Sequence, residues 1–367
     1  MQQVAEPWLM LSMGGSSFMV GLDAFALSGP GWLLTLWGGL LADRFNRKHV
    51  VLFFQFIQMI AVAIIIILMY SGWLAPWMLI VASLVSGITD SLSMPALQTL
   101  VPSLVSKEEM PRAVSLNSLQ FNISRMIGPA IAGFAMAKYG AIACFSGNLL
   151  SYVPLFFAVV LVYPKKSHPL LRLEREWQPK LSDFTSVLKH KIHFKLLLSV
   201  LINGLLVMPT MVFVPVLMKQ VLHGSAEHLG VIMGAAGIGG LIGALSGAPL
   251  SKVFKRPSDL ILFPLGSGIL LAILAFSQNL VILGLGMMLL AAGTGILAVT
   301  TNSRIQVDSE DRHRGRASSF FQLSMQGGIA LGGLWTGVLS QFVGIQQALL
   351  INGSACALLQ FSLFFIK

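Results

Sequence analysis

Four ionisable side chains fall inside long apolar stretches of the sequence: Glu6, Asp23, Asp90 and Arg125. A charge at the centre of a bilayer costs at least about 2.5 kcal/mol, so such residues usually serve a binding site or a proton pathway. Asp90 and Arg125 each lie roughly 20 Å along a helix from the same membrane face. An Asp90–Arg125 pair is therefore expected, either as a structural ion pair or as a proton- or substrate-responsive pair that lines a cavity.

The two acidic residues near the N-terminus occupy different positions along their helices. Glu6 lies about seven residues from the end of a short apolar segment, and it is either a protonatable residue or a carboxylate at the outer interface. Asp23 precedes Asp43 by twenty residues, or about 30 Å of helix. This spacing puts Asp23 near the outer surface and favours a gate or rim residue over a deep proton site.

Further polar residues could line a cavity. Asn122, Arg125 and Pro129 fall on one helical face because they are separated by steps of three or four. Gly128 and Pro129 together predict a bend and a close helix approach. Gln326 is the second-half counterpart of Asn122, and the polar candidates of the second half are Gln322, Gln326 and Asn302.

The composition defines the class of protein that must position these residues. Of 367 residues, 55% are apolar and only 10% are charged, whereas a soluble domain has about 25% charged residues. A soluble enzyme is therefore excluded, and the sequence predicts an all-α integral membrane protein. The chain has no GxxxxGK[ST] phosphate-binding loop and no metal-ligand spacing, so we expect no enzyme activity, cofactor or metal.

Apolar stretches long enough to cross a bilayer recur eleven times. They are residues 18–42, 49–70, 77–103, 113–137, 141–163, 194–218, 226–251, 259–277, 280–304, 316–340 and 345–366. A shorter apolar segment precedes these spans. We interpret it as the end of a first helix whose beginning the sequence lacks.

Lysine and arginine predict the orientation of these spans. If the loop after span 18–42 is cytoplasmic, 21 of the 24 basic residues lie on that side, only Lys138 and Lys219 lie opposite, and Arg125 lies within a span. Cytoplasmic loops carry such an excess. We therefore expect a multi-pass protein of the inner membrane, with the loops after 18–42 and 77–103, the central linker and the C-terminus in the cytoplasm. The basic cytoplasmic loops account for the net charge of +10, so we expect no nucleic-acid partner.

The sequence repeats with an offset of about 204–208 residues. GGLLADRFNRK at 38–48 matches GAPLSKVFKR at 247–256, and RAVS at 112–115 matches RASS at 316–319. We expect an N-terminal helical bundle at 1–163 and a C-terminal bundle at 194–367. The segment 164–193 between them is either an amphipathic helix on the inner leaflet or a solvated linker.

The stretch GGLLADRFNRK resembles the signature loop of the major facilitator superfamily, and other segments resemble its branch of enterobactin exporters and macrolide-efflux permeases. These segments are MPALQTLVPSLV, RAVSLNSLQFNISRMIGPAIAG and DRHRGRASS. The resemblance implies two pseudo-symmetric six-helix bundles, and a first helix that lines the cavity makes Glu6 the leading candidate for coupling. It also implies that the basic loop gates conformational change, with these residues: Gly39, Asp43, Arg44, Arg47, Lys48, Arg112 and Arg316.

We therefore predict a secondary transporter that exports amphipathic small molecules, such as drugs, macrolides or siderophore-like compounds, by alternating access. Protons are the expected coupling ion, a small molecule and the lipid bilayer are the expected partners, and a monomer is the expected state. One alternative is a facilitator or importer of a metabolite or lipid. Another is a membrane receptor or a degenerate remnant without transport activity.

Overall fold

The chain folds as a bundle of membrane-length helices. The computed structural model describes residues 2–100, 104–106, 109–161, 191–254, 257–308 and 314–365, and within these ranges it contains no β-strand. The helices are α1 Gln2–Ser12, α2 Ser17–Ser28, α3 Pro30–Arg44, α4 Arg47–Ser71, α5 Pro76–Leu100, α6 Met110–Tyr139, α7 Ala141–Leu161, α8 Lys191–Leu206, α9 Thr210–Gln220, α10 Ala226–Val253, α11 Pro257–Leu274, α12 Leu280–Asp308, α13 Arg314–Val343 and α14 Ile345–Phe365.

Each of the eleven predicted spans coincides with one long helix or with two helices joined end to end, which confirms the predicted fold class. In the described part of the chain, eight stretches are long and apolar enough to cross a bilayer. The helices α2 and α3 together form one span, as do α8 and α9, where Pro209 lies in the break. Helix α1 has 11 residues and rises only about 16 Å, so it is too short to cross alone.

The helices alternate in direction, so the described loops lie at one of two ends of the bundle. We call the end that holds residues 44–48, 104–106 and 253–254 the basic end, and the end that holds residues 13–16, 72–75 and 221–225 the opposite end. Of the linker, predicted at 164–193, all but the last three residues lie outside the described ranges.

We call residues 2–161 the first half of the chain and residues 191–365 the second half. In the first half, α5 packs against α2, α3 and α4, and α4 packs against α7. In the second half, α10 packs against α12, α11 against α14, and α8 against α13. The largest contacts between halves join α6 to α10 and α2 to α13, and α1 also contacts α9.

Glycines form the two largest contacts between the halves. Gly133 of α6 lies against Gly230 of α10, and Gly21 of α2 lies against Gly337 of α13. Methyl groups built on Gly230 and Gly337 would lie 2.6 Å from Cα of Gly133 and 2.9 Å from Cα of Gly21, closer than ordinary carbon contacts. Gly337 follows Gly133 by 204 residues and Gly230 follows Gly21 by 209, so the internal repeat relates the two contacts. We call these two contacts the glycine crossings.

The third contact between halves lies at the same end. The ammonium group of Lys219 in α9 donates a hydrogen bond to Ser12 and lies 4.7 Å from the ring centroid of Trp8 in α1. Nearby, Gln220 Nε2 donates to Ser17 Oγ at 3.4 Å. Since these residues and the glycine crossings all lie in the part of the bundle near the opposite end, the halves meet there.

Asn46 organises the loop between α3 and α4. Asn46 has φ −62° and ψ 116°, and its side chain accepts a hydrogen bond from the Lys48 N–H at 3.0 Å. Asn46 is therefore the N-cap of α4, because a side-chain oxygen there satisfies an N–H that has no helical partner. Lys48 Nζ donates to the carbonyl of Val160 at 2.6 Å, which ties this loop to the end of α7.

Candidate functional site

Two acidic side chains are buried together in the first half. Glu6 of α1 is 2% exposed, and Asp23 of α2 is 4% exposed. They are close enough to interact electrostatically, and Ser83 of α5 contacts both. Within the described residues, neither carboxylate forms an ion pair with lysine or arginine. Asp23 lies toward the opposite end of the bundle and is buried beside α1 and α5. Its expected role as a gate or rim residue stays a prediction.

Neutral polar side chains contact Glu6. Gln2 Nε2 donates to Glu6 Oε1 at 2.7 Å, and Ser83 Oγ donates to Glu6 Oε2 at 3.3 Å. Gln2 Oε1 in turn accepts from Asn148 Nδ2 of α7 at 2.5 Å. These donors are neutral, and Asp23 Oδ1 is buried without a hydrogen-bond partner. We call the residues Gln2, Glu6, Asp23, Ser83 and Asn148 the acidic cluster.

A second polar group lies on α4 and α5. Gln58 Nε2 donates to Asp90 Oδ1 at 2.5 Å and to Thr89 Oγ1 at 2.9 Å. Gln58 and Thr89 are buried, whereas the Asp90 residue as a whole is exposed. Asp90 therefore presents a carboxylate on the surface of α5 at mid-span, held by a buried amide.

The predicted Asp90–Arg125 pair stays a prediction, because the side chain of Arg125 lies outside the described part. Among the described residues, α5 packs mainly on α2, α3 and α4, and α6 packs mainly on α10. Three other predicted residues also have undescribed side chains: Asp43, Asn122 and Arg316.

The remaining predicted residues are distributed along both halves. Gln322 and Gln326 of α13 are exposed, and Asn302 of α12 is partly buried. Arg44 and Arg112 are exposed at the basic end, and Arg47 is partly buried there. Among the described residues, no atom outside their own helices lies within 4 Å of the Cβ positions of Gly39 and Gly128, and Pro129 lies inside the continuous helix α6. The gating role of the loop is not tested by these positions.

Two buried polar groups were not predicted from the sequence. The Asn203 side chain of α8 is 3% exposed, and its Nδ2 has no hydrogen-bond partner. The indole Nε1 of Trp32 in α3 is also buried without a partner, beside Gly327 of α13. An uncharged side chain in an apolar run gives no signal of its own, but the nearby Pro209 could have indicated a break in the helix at mid-membrane.

The bundle architecture, the opposing halves and the intramembrane carboxylates together define a membrane transporter rather than an enzyme. A family described as transmembrane secretion effectors matches residues 1–367, and the chain belongs to this family of the major facilitator superfamily.

Curated relatives are similar across much of the chain. The staphyloferrin A transporter of Staphylococcus aureus is 28% identical over 377 aligned positions, which cover 100% of this chain and 91% of the relative. The enterobactin exporter EntS of Shigella boydii is 29% identical over 277 positions, which cover 72% of this chain and 63% of the relative. The second alignment thus spans less than two thirds of the exporter.

Solved structures share the fold at low sequence identity. The nucleoside transporter NupG superposes with a TM-score of 0.75 at 14% identity, covering 100% of this chain and 97% of that chain. A bacterial homologue of the iron transporter ferroportin superposes with a TM-score of 0.68 at 18% identity, covering 100% and 96%. These likenesses show the fold alone.

Proposed function

We propose that this transporter exports an oxygen-rich, siderophore-like small molecule across the inner membrane in exchange for protons. The substrate class is supported by two relatives whose names specify staphyloferrin A and enterobactin. The direction is supported by the name of the enterobactin exporter and by the description of the family as secretion effectors. Facilitation or import without protons is the competing function.

The contacts between the halves support a mechanism of alternating access. The two glycine crossings and the Lys219 contact all lie toward the opposite end. With the basic end in the cytoplasm, as the positive-inside rule indicates, this arrangement is closed outward and ready to take substrate from the cytoplasm. Export then requires the crossings to separate while the halves approach at the basic end.

The acidic cluster is the proposed proton site. Two carboxylates buried side by side cannot both be ionised without a large electrostatic cost, because neither has a cationic partner among the described residues. We therefore place one shared proton on Glu6 and Asp23 in the outward-closed state. Opening the opposite end would move α1 and α2 relative to α9 and α13, which would change the environment of both carboxylates and allow proton exchange.

The test is proton movement driven by substrate in proteoliposomes that contain a pH-sensitive dye. Wild-type protein is expected to move protons when enterobactin or staphyloferrin A is added, and both Glu6→Gln and Asp23→Asn are expected to lose that movement. The matched control is Glu227→Gln, which removes an exposed carboxylate at the start of α10 and should leave the flux unchanged.

Three outcomes contradict parts of the proposal. Normal proton flux in Glu6→Gln and Asp23→Asn would remove the acidic cluster from coupling. Substrate movement without protons in wild-type protein would establish a facilitator. Absence of any response to both compounds would reject the siderophore-like substrate class.

A further inference from the structure

The span formed by α8 and α9 is broken at mid-membrane. Pro209 has no N–H to donate to the carbonyl of Leu205, and its ring is incompatible with a continuous helix. The carbonyl of Asn203 instead accepts from both the Val207 and the Met208 N–H groups, at 2.9 and 3.0 Å. Irregular backbone at this depth is tolerated where protein buries it or where it lines a cavity.

A small cleft opens beside this break, between α8, α12 and α13. Its lining includes Asn203, Met208, Thr294 and Met325, and it has room for a group about the size of one water molecule. The two methionines give it a pliable apolar wall. Two residues beyond Met325, Gly327 packs against Trp32 of the first half, so the cleft lies close to where the halves meet.

One strong donor in the cleft has no acceptor. Asn203 is 3% exposed, lines the cleft, and its Nδ2 is buried without a hydrogen-bond partner. Unpartnered buried polar groups are rare in native proteins because each one weakens the fold. Asn352 offers a contrast, since it is equally buried but donates to Thr336 at 2.8 Å and accepts from Trp335 at 3.0 Å.

We infer that Asn203 is a substrate-binding residue whose Nδ2 donates a hydrogen bond to an oxygen of the transported molecule. The cleft admits a single oxygen-sized group, so its occupant is a carboxylate, carbonyl or phenolate oxygen that projects from a larger molecule in the space between the halves. This inference rests on the proposed function, because an oxygen-rich chelator presents many such acceptors. Pairing with the substrate would supply the partner that Asn203 lacks in the unliganded protein.

The test compares binding with unliganded stability in full-length protein. Asn203→Leu keeps the approximate side-chain volume and removes the donor, and Asn203→Asp replaces the donor with an acceptor. Binding of enterobactin and staphyloferrin A is measured by isothermal titration, and the unfolding temperature of each unliganded variant is measured in detergent. Asn352→Leu is the matched control.

Asn203→Leu is expected to unfold at or above the wild-type temperature and to bind about tenfold more weakly, with Asn203→Asp at least as weak. Asn352→Leu is expected to unfold at a lower temperature and to bind normally. Wild-type affinity in Asn203→Leu would overturn the inference and leave only a bound water in the cleft. A fall in unfolding temperature like that of Asn352→Leu would also overturn it, since the role would then be structural.

A failure of the proposed substrate class gives a different result. In that case wild-type protein binds neither compound, and both the substrate class and the Asn203 subsite are rejected. When wild-type protein binds and Asn203→Leu binds equally well, only the subsite is rejected.

Discussion

The crossing between α6 and α10 leaves no space for a side chain, and this makes the closed state easy to perturb. In Gly230→Ala, the new methyl carbon would lie 2.6 Å from Cα and 3.0 Å from the carbonyl carbon of Gly133, and 3.3 Å from the N of Phe134. All three atoms belong to the backbone, so no side-chain rotation relieves the contact. Carbon atoms normally approach to about 3.5 Å, so the helices must separate by about 1 Å.

The expected consequence is a shift toward the state that is open at the opposite end. Overpacking of a close contact costs about 1–3 kcal/mol. Since the contact exists only when the halves meet at that end, this cost falls on the closed state alone. The ratio of open to closed protein should therefore rise about 5- to 150-fold.

Double electron–electron resonance between spin labels at the opposite end measures this shift. Tyr70→Cys and Phe342→Cys place labels on exposed positions of the two halves, after Cys144 and Cys356 are replaced by alanine. In Gly230→Ala, the population at the longer label-to-label distance should grow.

The control is a glycine of the same helix whose Cβ position is open. Among the described residues, no atom outside α10 lies within 4 Å of a methyl group built on Gly240. Gly240→Ala should therefore keep the wild-type distance distribution. Equal distributions in Gly230→Ala and wild type, or an equal shift in Gly240→Ala, would refute the assignment of the crossing to the closed state.

Three further perturbations test other contacts. Lys219→Met removes a cation–π contact and a hydrogen bond, which should weaken the closed state by about 1 kcal/mol. The same spin-label pair should show a smaller opening than in Gly230→Ala, and an unchanged distance distribution would contradict the role of Lys219 in the closed state. Gln58→Leu leaves Asp90 and Thr89 without their amide donor, so the free energy of unfolding should fall by about 1–3 kcal/mol. Thermal unfolding in detergent measures this fall, and wild-type stability in the variant would argue against the hydrogen bonds. Asn46→Ala removes the N-cap of α4 and should cost about 0.5–2 kcal/mol, measured by the same melt, whereas Asn46→Asp should retain most of the stability.

The helical spans could be predicted from sequence because lipid forces every backbone N–H and C=O into a helix. Hydropathy and the distribution of basic residues are both one-dimensional patterns, so each span was located within a few residues. The signature GGLLADRFNRK predicted the family, which the full-length family match confirms.

The acidic cluster could be predicted only in part. Charge in an apolar run identified Glu6 and Asp23, but their pairing depends on the packing of α1 against α2 and α5. Position along the helix indicated a rim site for Asp23, and burial of its side chain is set by neighbouring helices that the position does not reveal. The proton-coupling role of the pair remains a prediction.

The internal repeat contains a signal for the glycine crossings. Gly133 and Gly337 occupy equivalent positions of the repeat, yet the chain has 36 glycines and sequence alone does not say which of them meet. Asn203 had no signal at all, because an unpartnered amide is recognised only when all its neighbours are known.

Alternating access to the space between the halves is the central claim, and labelling with a membrane-impermeant thiol reagent tests it most directly. Asp90→Cys and Gln326→Cys place single thiols at exposed mid-span positions of the two halves, in protein without Cys144 and Cys356. In oriented vesicles, both thiols should react from the basic end in unliganded protein. When Gly230→Ala is added, reaction from the opposite end should rise and reaction from the basic end should fall. Thiols that react from neither end, or that react equally from both ends regardless of Gly230→Ala, would contradict the account.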